Sequence, residues 1–229
     1  MWQLNWTDTT LIDWHKLAEV LTYDPRQPMI FSSGVFLLLF LGFSFVYMLL
    51  QKRTTARLLF VTLFSYYFYY KSSGVYFFLL GTVTVTDFWL AHVMDRTQSP
   101  LKRKGLVATS LLVNLGLLCY FKYTNFFYEM LAPLWRGEFH PLDIFLPVGI
   151  SFFTFQSLSY TIDVYRRDLR PLDSLLDYAF YVSFFPQLVA GPIERSKNLL
   201  IQINEKHRFE FVRVRDGLLL MLYGYFQKV

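Results

Sequence analysis

Charge is scarce in this sequence. Asp, Glu, Lys and Arg together make up 17% of its 229 residues, against roughly 25% in an ordinary soluble domain. Cysteine is scarcer still: Cys119 stands alone in an apolar run, which excludes an intrachain disulfide. No activating histidine stands beside it, so packing is the role expected of it. The four histidines, His15, His92, His140 and His207, offer no pair at metal-ligand spacing, and no metal site is expected. GxSxG, HExxH, the P-loop and GxGxxG are all missing. The net charge of +5 is modest, and few polar faces with no Gly-rich basic motif argue against nucleic acid as a partner. Residues 1–28 carry Asp8, Asp13, Glu19 and Asp24 and lack the basic start and apolar centre of a secretory signal peptide.

What the chain has in excess is apolar length. Apolar residues reach 54% and aromatics 20%. The stretch "MIFSSGVFLLLFLGFSFVYMLL" (29–50) holds no charge and reaches the roughly 20 residues that cross a bilayer as a helix. Comparable runs cover 57–70, 75–94, 105–128, 142–165, 175–193 and 216–229, joined by brief connectors. Nothing alternates at period two strongly enough for a barrel. The expected fold class is therefore all-α, a polytopic transmembrane helical bundle over 29–229. Residues 1–28 form a separate segment. Leu11, Trp14, Leu17, Ala18 and Leu21 fall at helical spacing there, which fits a short amphipathic helix at the interface or, equally, a soluble turn. The cluster "SYYFYYK" (65–71) has the composition of an aromatic belt at the water boundary.

Basic residues set the orientation. Loop 51–57 holds Lys52, Arg53 and Arg57; loop 95–105 holds Arg96, Lys102, Arg103 and Lys104; loop 166–174 holds Arg166, Arg167 and Arg170. All fall on one side if the first five spans each cross once. That side is cytoplasmic by the positive-inside rule, which places the N-terminus outside a multi-pass protein of the cell (inner) membrane.

"FFPQLVAGPIERSK" (184–197) then raises a conflict, because a further full crossing would put the basic segment 194–215 outside. A re-entrant element near 184–195, turning back between Pro186 and Pro192, keeps that segment cytoplasmic. Such irregular backbone is tolerated only where protein or a water-filled cavity surrounds it. A plain kinked crossing is the other reading.

Ionisable groups inside spans mark a function or a buried pairing. Asp87 and His92 interrupt 75–94, and Asp163 lies near the end of 142–165 with Gln156 two turns earlier. For Asp87 and Asp163 the choice lies between a bundle-locking pair, with a basic or tyrosine partner, and the lining of a substrate or proton path. His92 is placed to pair with Asp95 rather than act as a base. Lys122 can snorkel to the interface.

Two longer motifs carry more information. "LPVGISFFTFQSLSYTIDVYRRD" (146–168) and "YVSFFPQLVAGPIER" (181–195) closely resemble the membrane-bound O-acyltransferase family. The likeness is greatest to the bacterial branch with alginate O-acetylation proteins and the teichoic acid D-alanyl transfer protein. "MIFSSGVFLLLFL" (29–41), "NLGLLCYFKYTNFF" (114–127) and "GYFQKV" (224–229) extend it over about 29–229.

The resemblance implies a helical bundle around a polar tunnel. An acyl group, commonly acetyl, passes there from a cytoplasmic donor, acyl-CoA or an acyl carrier, to a hydroxyl on an exported polysaccharide. No resident cofactor is implied. Gln156, Asp163, Gln187, Glu194 and Arg195 are the tunnel or signature candidates it points to. Members of the family run to about twice this length, and their catalytic histidine lies beyond the position matching Val229. None of the four histidines here matches it, so no catalytic residue is assigned. The chain resembles the N-terminal half of such a domain and is expected to be inactive alone. Its implied partners are the bilayer, the other half of the domain and an acyl-acceptor partner outside the membrane. The alternative is a non-enzymatic membrane remnant, scaffold or transporter-like module using Asp87 and Asp163.

Overall fold

The computed structural model describes residues 21–25, 29–31, 33–132, 141–191, 199 and 210–228, and among these every regular element is a helix. In chain order they are α1 (Gly34–Leu49), α2 (Thr54–Ser73), α3 (Phe77–Arg96), α4 (Pro100–Leu118), α5 (Thr124–Leu131), α6 (Ile150–Tyr165), α7 (Leu175–Ser183), α8 (Phe185–Ala190) and α9 (Phe211–Lys228). Among the described residues two helical stretches, Thr54–Arg96 and Pro100–Leu131, are long and apolar enough to cross a membrane; Gly34–Leu49 is apolar but shorter.

Local chemistry sets most boundaries. The Ser33 hydroxyl accepts from the amide of Phe36 and starts α1. Pro100 begins α4, where its missing N–H costs nothing. Between α2 and α3 the chain reverses at Gly74, whose φ of 60° favours glycine. A Cβ there would also meet the Tyr23 ring at 2.7 Å. The reversal makes the two helices antiparallel, and the Tyr66 hydroxyl reaches Thr84 Oγ1 at 3.3 Å across them. A wide π-type turn, Cys119–Tyr123, separates α4 from α5.

The core lies where α2, α3, α4, α6 and α7 meet. Tyr69, Phe153, Tyr160, Tyr178 and Tyr181 are all fully buried there. A second cluster groups Met29, Phe36, Phe68 and Phe185. Large apolar side chains also cover the outside, and several polar ones lie within the core. Leu38, Leu41, Leu63, Phe78 and Leu112 face outward, while Asp87, Ser110, Asn114, Ser157 and Thr161 are sealed inside.

Arg103 ties one end of this bundle together. Nη1 donates to the Met94 carbonyl at 2.7 Å, and Nη2 donates to those of Val164 at 3.2 Å and Tyr165 at 2.7 Å. A guanidinium thus adds donors to carbonyls at the C-termini of α3 and α6, where the helix dipoles favour a cation. The antiparallel helices bring connectors 50–53, 97–99 and 166–174 to this same end, so the basic residues of those expected loops gather there, with Arg57, Arg96, Lys102, Arg103 and Lys104 on the adjoining helix ends rather than in loops.

Several expectations need correction. The helix expected at 57–70 continues to Ser73, because the ammonium of Lys71 is satisfied by the Thr22 carbonyl. Phe68 and Tyr69 in its tyrosine cluster are fully buried, so those two rings are core and not belt. The helix expected from 142 begins at Ile150. Gly149 adopts φ 72°, which no right-handed helix accommodates, and residues 141–147 are non-helical. Cys119 is exposed rather than packed. Of the expected amphipathic helix 11–21, only Leu21 is described.

Candidate functional site

Two polar groups occupy the interior. The first is built on Asp87 of α3, which has no exposed surface. Ser110 Oγ donates to Asp87 Oδ1 at 2.6 Å and Asn114 Nδ2 donates to Oδ2 at 2.7 Å. These two residues stand one turn apart on α4, so both side chains reach the same neighbour. Ser110 Oγ lies 3.5 Å from Thr161 Oγ1 of α6. One turn earlier on α6, Ser157 Oγ is 2.8 Å from the Tyr178 hydroxyl of α7. The polar chain therefore links four helices. Its carboxylate is closed off from solvent and accepts a donor on each oxygen, an arrangement that ties α3 to α4. The partners found are a serine and an asparagine, where a basic or tyrosine partner was expected.

The second group joins the two motifs that carry the family resemblance. Gln156 Nε2 of α6 donates to the Tyr181 carbonyl at 2.6 Å and to Gln187 Oε1 at 3.2 Å. The Tyr181 hydroxyl donates back to the Gln156 carbonyl at 3.3 Å. The run 175–190 is two helices. Pro186 has no N–H to offer the Val182 carbonyl, and its ring would clash there, so α7 ends and Phe184 turns out to ψ 108°. The amide of Phe185 is then satisfied by Ser65 Oγ at 3.2 Å. The break falls at Phe184, ahead of the stretch Pro186–Pro192 where the turn was expected. From Ser174 to Leu188 the run advances along α6 in the opposite sense: Tyr178 meets Ser157, Tyr181 meets Gln156, and Leu188 meets Gly149. Leu199, the next described residue after Gly191, lines a cavity with Phe180, Phe184 and Arg213.

Of the sequence candidates, Gln156 and Gln187 are brought together. Asp163 is half-buried and takes no part in the Gln156 contacts; its backbone carbonyl accepts from the amides of Asp168 and Leu169. Glu194 and Arg195 lie outside the described residues, as do His15, His140 and His207. His92 does not pair with Asp95: its Nδ1 is 2.9 Å from the Phe88 carbonyl, one turn back on its own helix. Lys122 Nζ reaches Ser151 Oγ at 3.4 Å on an exposed face. Among the described residues no cluster of His, Cys, Asp and Glu has metal-binding geometry. Ser110, Asn114, Tyr178 and Arg103 were missed as functional partners. A polar pair at i, i+4 in the apolar run of α4 was the available signal for the first two. The buried hydroxyls of Thr154 and Ser183 have no partner among the described residues.

Among the described residues the fold is an all-helical bundle with polar networks embedded in an apolar core and many apolar side chains on its outer surface. By sequence the chain is 37% identical over 213 aligned residues to the probable alginate O-acetylase AlgI of Pseudomonas aeruginosa, covering 88% of this chain and 39% of the relative. The protein of the same name in Pseudomonas putida is 36% identical over 211, covering 88% and 42%. The peptidoglycan O-acetyltransferase of Helicobacter pylori is 31% identical over 244, covering 93% and 46%. The chain is a homologue of bacterial O-acetyltransferases, in agreement with the resemblance to membrane-bound O-acyltransferases. It spans about two fifths of the length of the curated relatives it matches. No family model and no solved structure matches it.

Proposed function

We propose that this chain forms part of a membrane O-acyltransferase that transfers an acyl group, acetyl in the first instance, to hydroxyls of an exported polysaccharide. The observation that carries this reading is the similarity, over 88% or more of the chain, to relatives named for O-acetylation of alginate and of peptidoglycan. Both named acceptors are glycans, so the shared chemistry is ester formation on a sugar hydroxyl. The donor would be acyl-CoA or an acyl carrier reaching the basic end of the bundle.

The apolar outer surface supports placement as a multi-pass protein of the inner membrane. The gathered basic loops support a cytoplasmic location for that end and an N-terminus outside. We read the segment near 184–195 as re-entrant. The advance to Leu188 and the position of Leu199 beside Phe180 and Arg213 support both limbs opening towards the basic end.

Acyl transfer to a hydroxyl needs a positioned base. Among the described residues His92, bonded to its own helix, is the sole histidine. We infer that this chain contributes the docked motif pair and the tunnel wall, and that the base comes from the remainder of the catalytic domain. A transporter-like use of Asp87 and Asp163 is less well supported, because each oxygen of Asp87 already accepts a hydrogen bond from α4 and Asp163 stands apart from that network.

Deletion of the encoding gene, followed by quantification of ester-linked acetate on extracted exported glycans, tests the proposal. Acetate should fall on one glycan and return on complementation. Unchanged acetylation of every glycan fraction would overturn it.

A further inference from the structure

We propose that the cavity between α1, α2, α7, α8 and α9 holds one acyl chain of an anionic phospholipid, with the lipid phosphate at Arg57 and Arg213. The inference rests on the membrane placement proposed above. The cavity has a volume of about 730 Å³, within the roughly 300–1,000 Å³ of small-molecule sites. Apolar side chains dominate its walls, among them Phe40, Phe43, Val61, Phe184, Leu218 and Met221. Gln51, Arg57 and Arg213 supply polar groups.

Arg57 decides the chemistry of the occupant. It is only 7% exposed, and its guanidinium carbon lies 5.6 Å from the centre of the Tyr47 ring. Among the described residues no carboxylate or carbonyl accepts a hydrogen bond from it. A guanidinium stays charged in proteins, and one that is buried calls for acceptor oxygens. Phosphate oxygens match its fork of N–H groups. Arg213 of α9 also lines the cavity; its exposed side chain donates from Nε to Glu210 Oε2 at 2.7 Å.

Position selects the source of the phosphate. Arg57 begins α2 at the end of the bundle where the basic loops gather, the level at which anionic headgroups meet basic pockets between helices. A free phosphate would satisfy Arg57 and leave the apolar walls unfilled. A phospholipid satisfies both.

The chain, extracted from membranes in mild detergent, would be exchanged into nanodiscs of equal phosphatidylglycerol and phosphatidylcholine and examined by native mass spectrometry. One phosphatidylglycerol per chain should be retained, favoured over phosphatidylcholine by about tenfold or more. Arg57→Gln and Gly217→Trp should each lower retention by about fivefold or more. Gly217 lines the cavity, and a Cβ built on it meets nothing within 4 Å. The tryptophan therefore fills the cavity without a backbone clash and keeps the test decisive if Arg57→Gln fails to fold. Equal retention of both lipids, unchanged retention in Gly217→Trp, or a chain that carries no lipid would overturn the inference. Displacement of phosphatidylglycerol by millimolar inorganic phosphate would overturn the lipid assignment in favour of a phosphate site. A chain recovered in the soluble fraction without detergent would instead overturn the membrane placement, an outcome distinct from a membrane-inserted chain without lipid.

Discussion

A Cβ on Gly149 would stand 2.0 Å from the backbone carbonyl oxygen of Leu188, so the turn before α6 and the short helix α8 meet backbone to backbone. Gly149 belongs to "LPVGISFF" and Leu188 to "FFPQLVAGP", far apart in the chain. With the Gln156–Gln187 bond between the same two motifs, the pair forms one docked unit and not two independent signatures.

Gly149→Ala should accordingly be costly. It forces a Cβ into a carbonyl and places a side chain at φ 72°, with an expected loss of about 2 kcal/mol or more. Gly42→Ala on α1 meets nothing within 4 Å and should be neutral or stabilising by up to about 1 kcal/mol. Thermal unfolding in detergent compares the two. A neutral Gly149→Ala would mean that α8 does not dock as described.

Arg103→Ala should destabilise the chain by about 2–3 kcal/mol, since it strips three bonds from the carbonyls of Met94, Val164 and Tyr165. Arg103→Lys keeps the charge but not the fork, and should recover only part of the loss. Hydrogen exchange should quicken selectively at the C-terminal turns of α3 and α6. If Arg103→Lys matched the parent, charge alone would account for the contact.

Asp87 and Asn114 should be energetically coupled. Asn114→Ala is expected to cost about 1–2 kcal/mol, and much less in an Asp87→Ala background where its acceptor is gone. A double-mutant cycle in unfolding free energy reads this directly. Additive losses would show that the 2.7 Å bond contributes nothing of its own.

Ser174→Cys and Lys197→Cys, each in a Cys119→Ala background, should react with an impermeant thiol reagent from the same, cytoplasmic face. The background substitution is needed because Cys119 is exposed. Reaction from opposite faces would make 175–193 a kinked crossing and remove the re-entrant reading.

The 229-residue chain, purified alone, should transfer no acetyl group to a polysaccharide or small alcohol, and His92→Ala should change nothing. Steady turnover that disappears in His92→Ala would sink both the assignment of His92 and the proposal that the base lies elsewhere.

Composition and run length by themselves determined the helical class, because an apolar stretch without water must satisfy its backbone within a helix. The six spans to residue 193 could be placed approximately, with the expected last span overlapping α9 over 216–228, since Gly, Pro and charge punctuate the chain at most of its turns. Their limits were less legible at 142–149 and at 184. There a glycine's positive φ and a proline's missing N–H act on backbone whose path is fixed by a distant partner: Leu188 for Gly149, Ser65 for the amide of Phe185.

The candidate site divides in the same way. Gln156 and Gln187 were legible because their motifs are distinctive, and Asp87 because a carboxylate in an apolar run stands out. Its partners were not legible, since Ser110 and Asn114 are ordinary residues until antiparallel packing turns their face of α4 towards α3. Arg103 read as one loop cation among many and became a buried clamp only when the ends of α3 and α6 converged on it. The sequence determined which groups must be hidden from lipid and water. Only the tertiary structure decided which partner each hidden group meets, because hydrogen-bond geometry depends on the register of helices that the local chain does not encode.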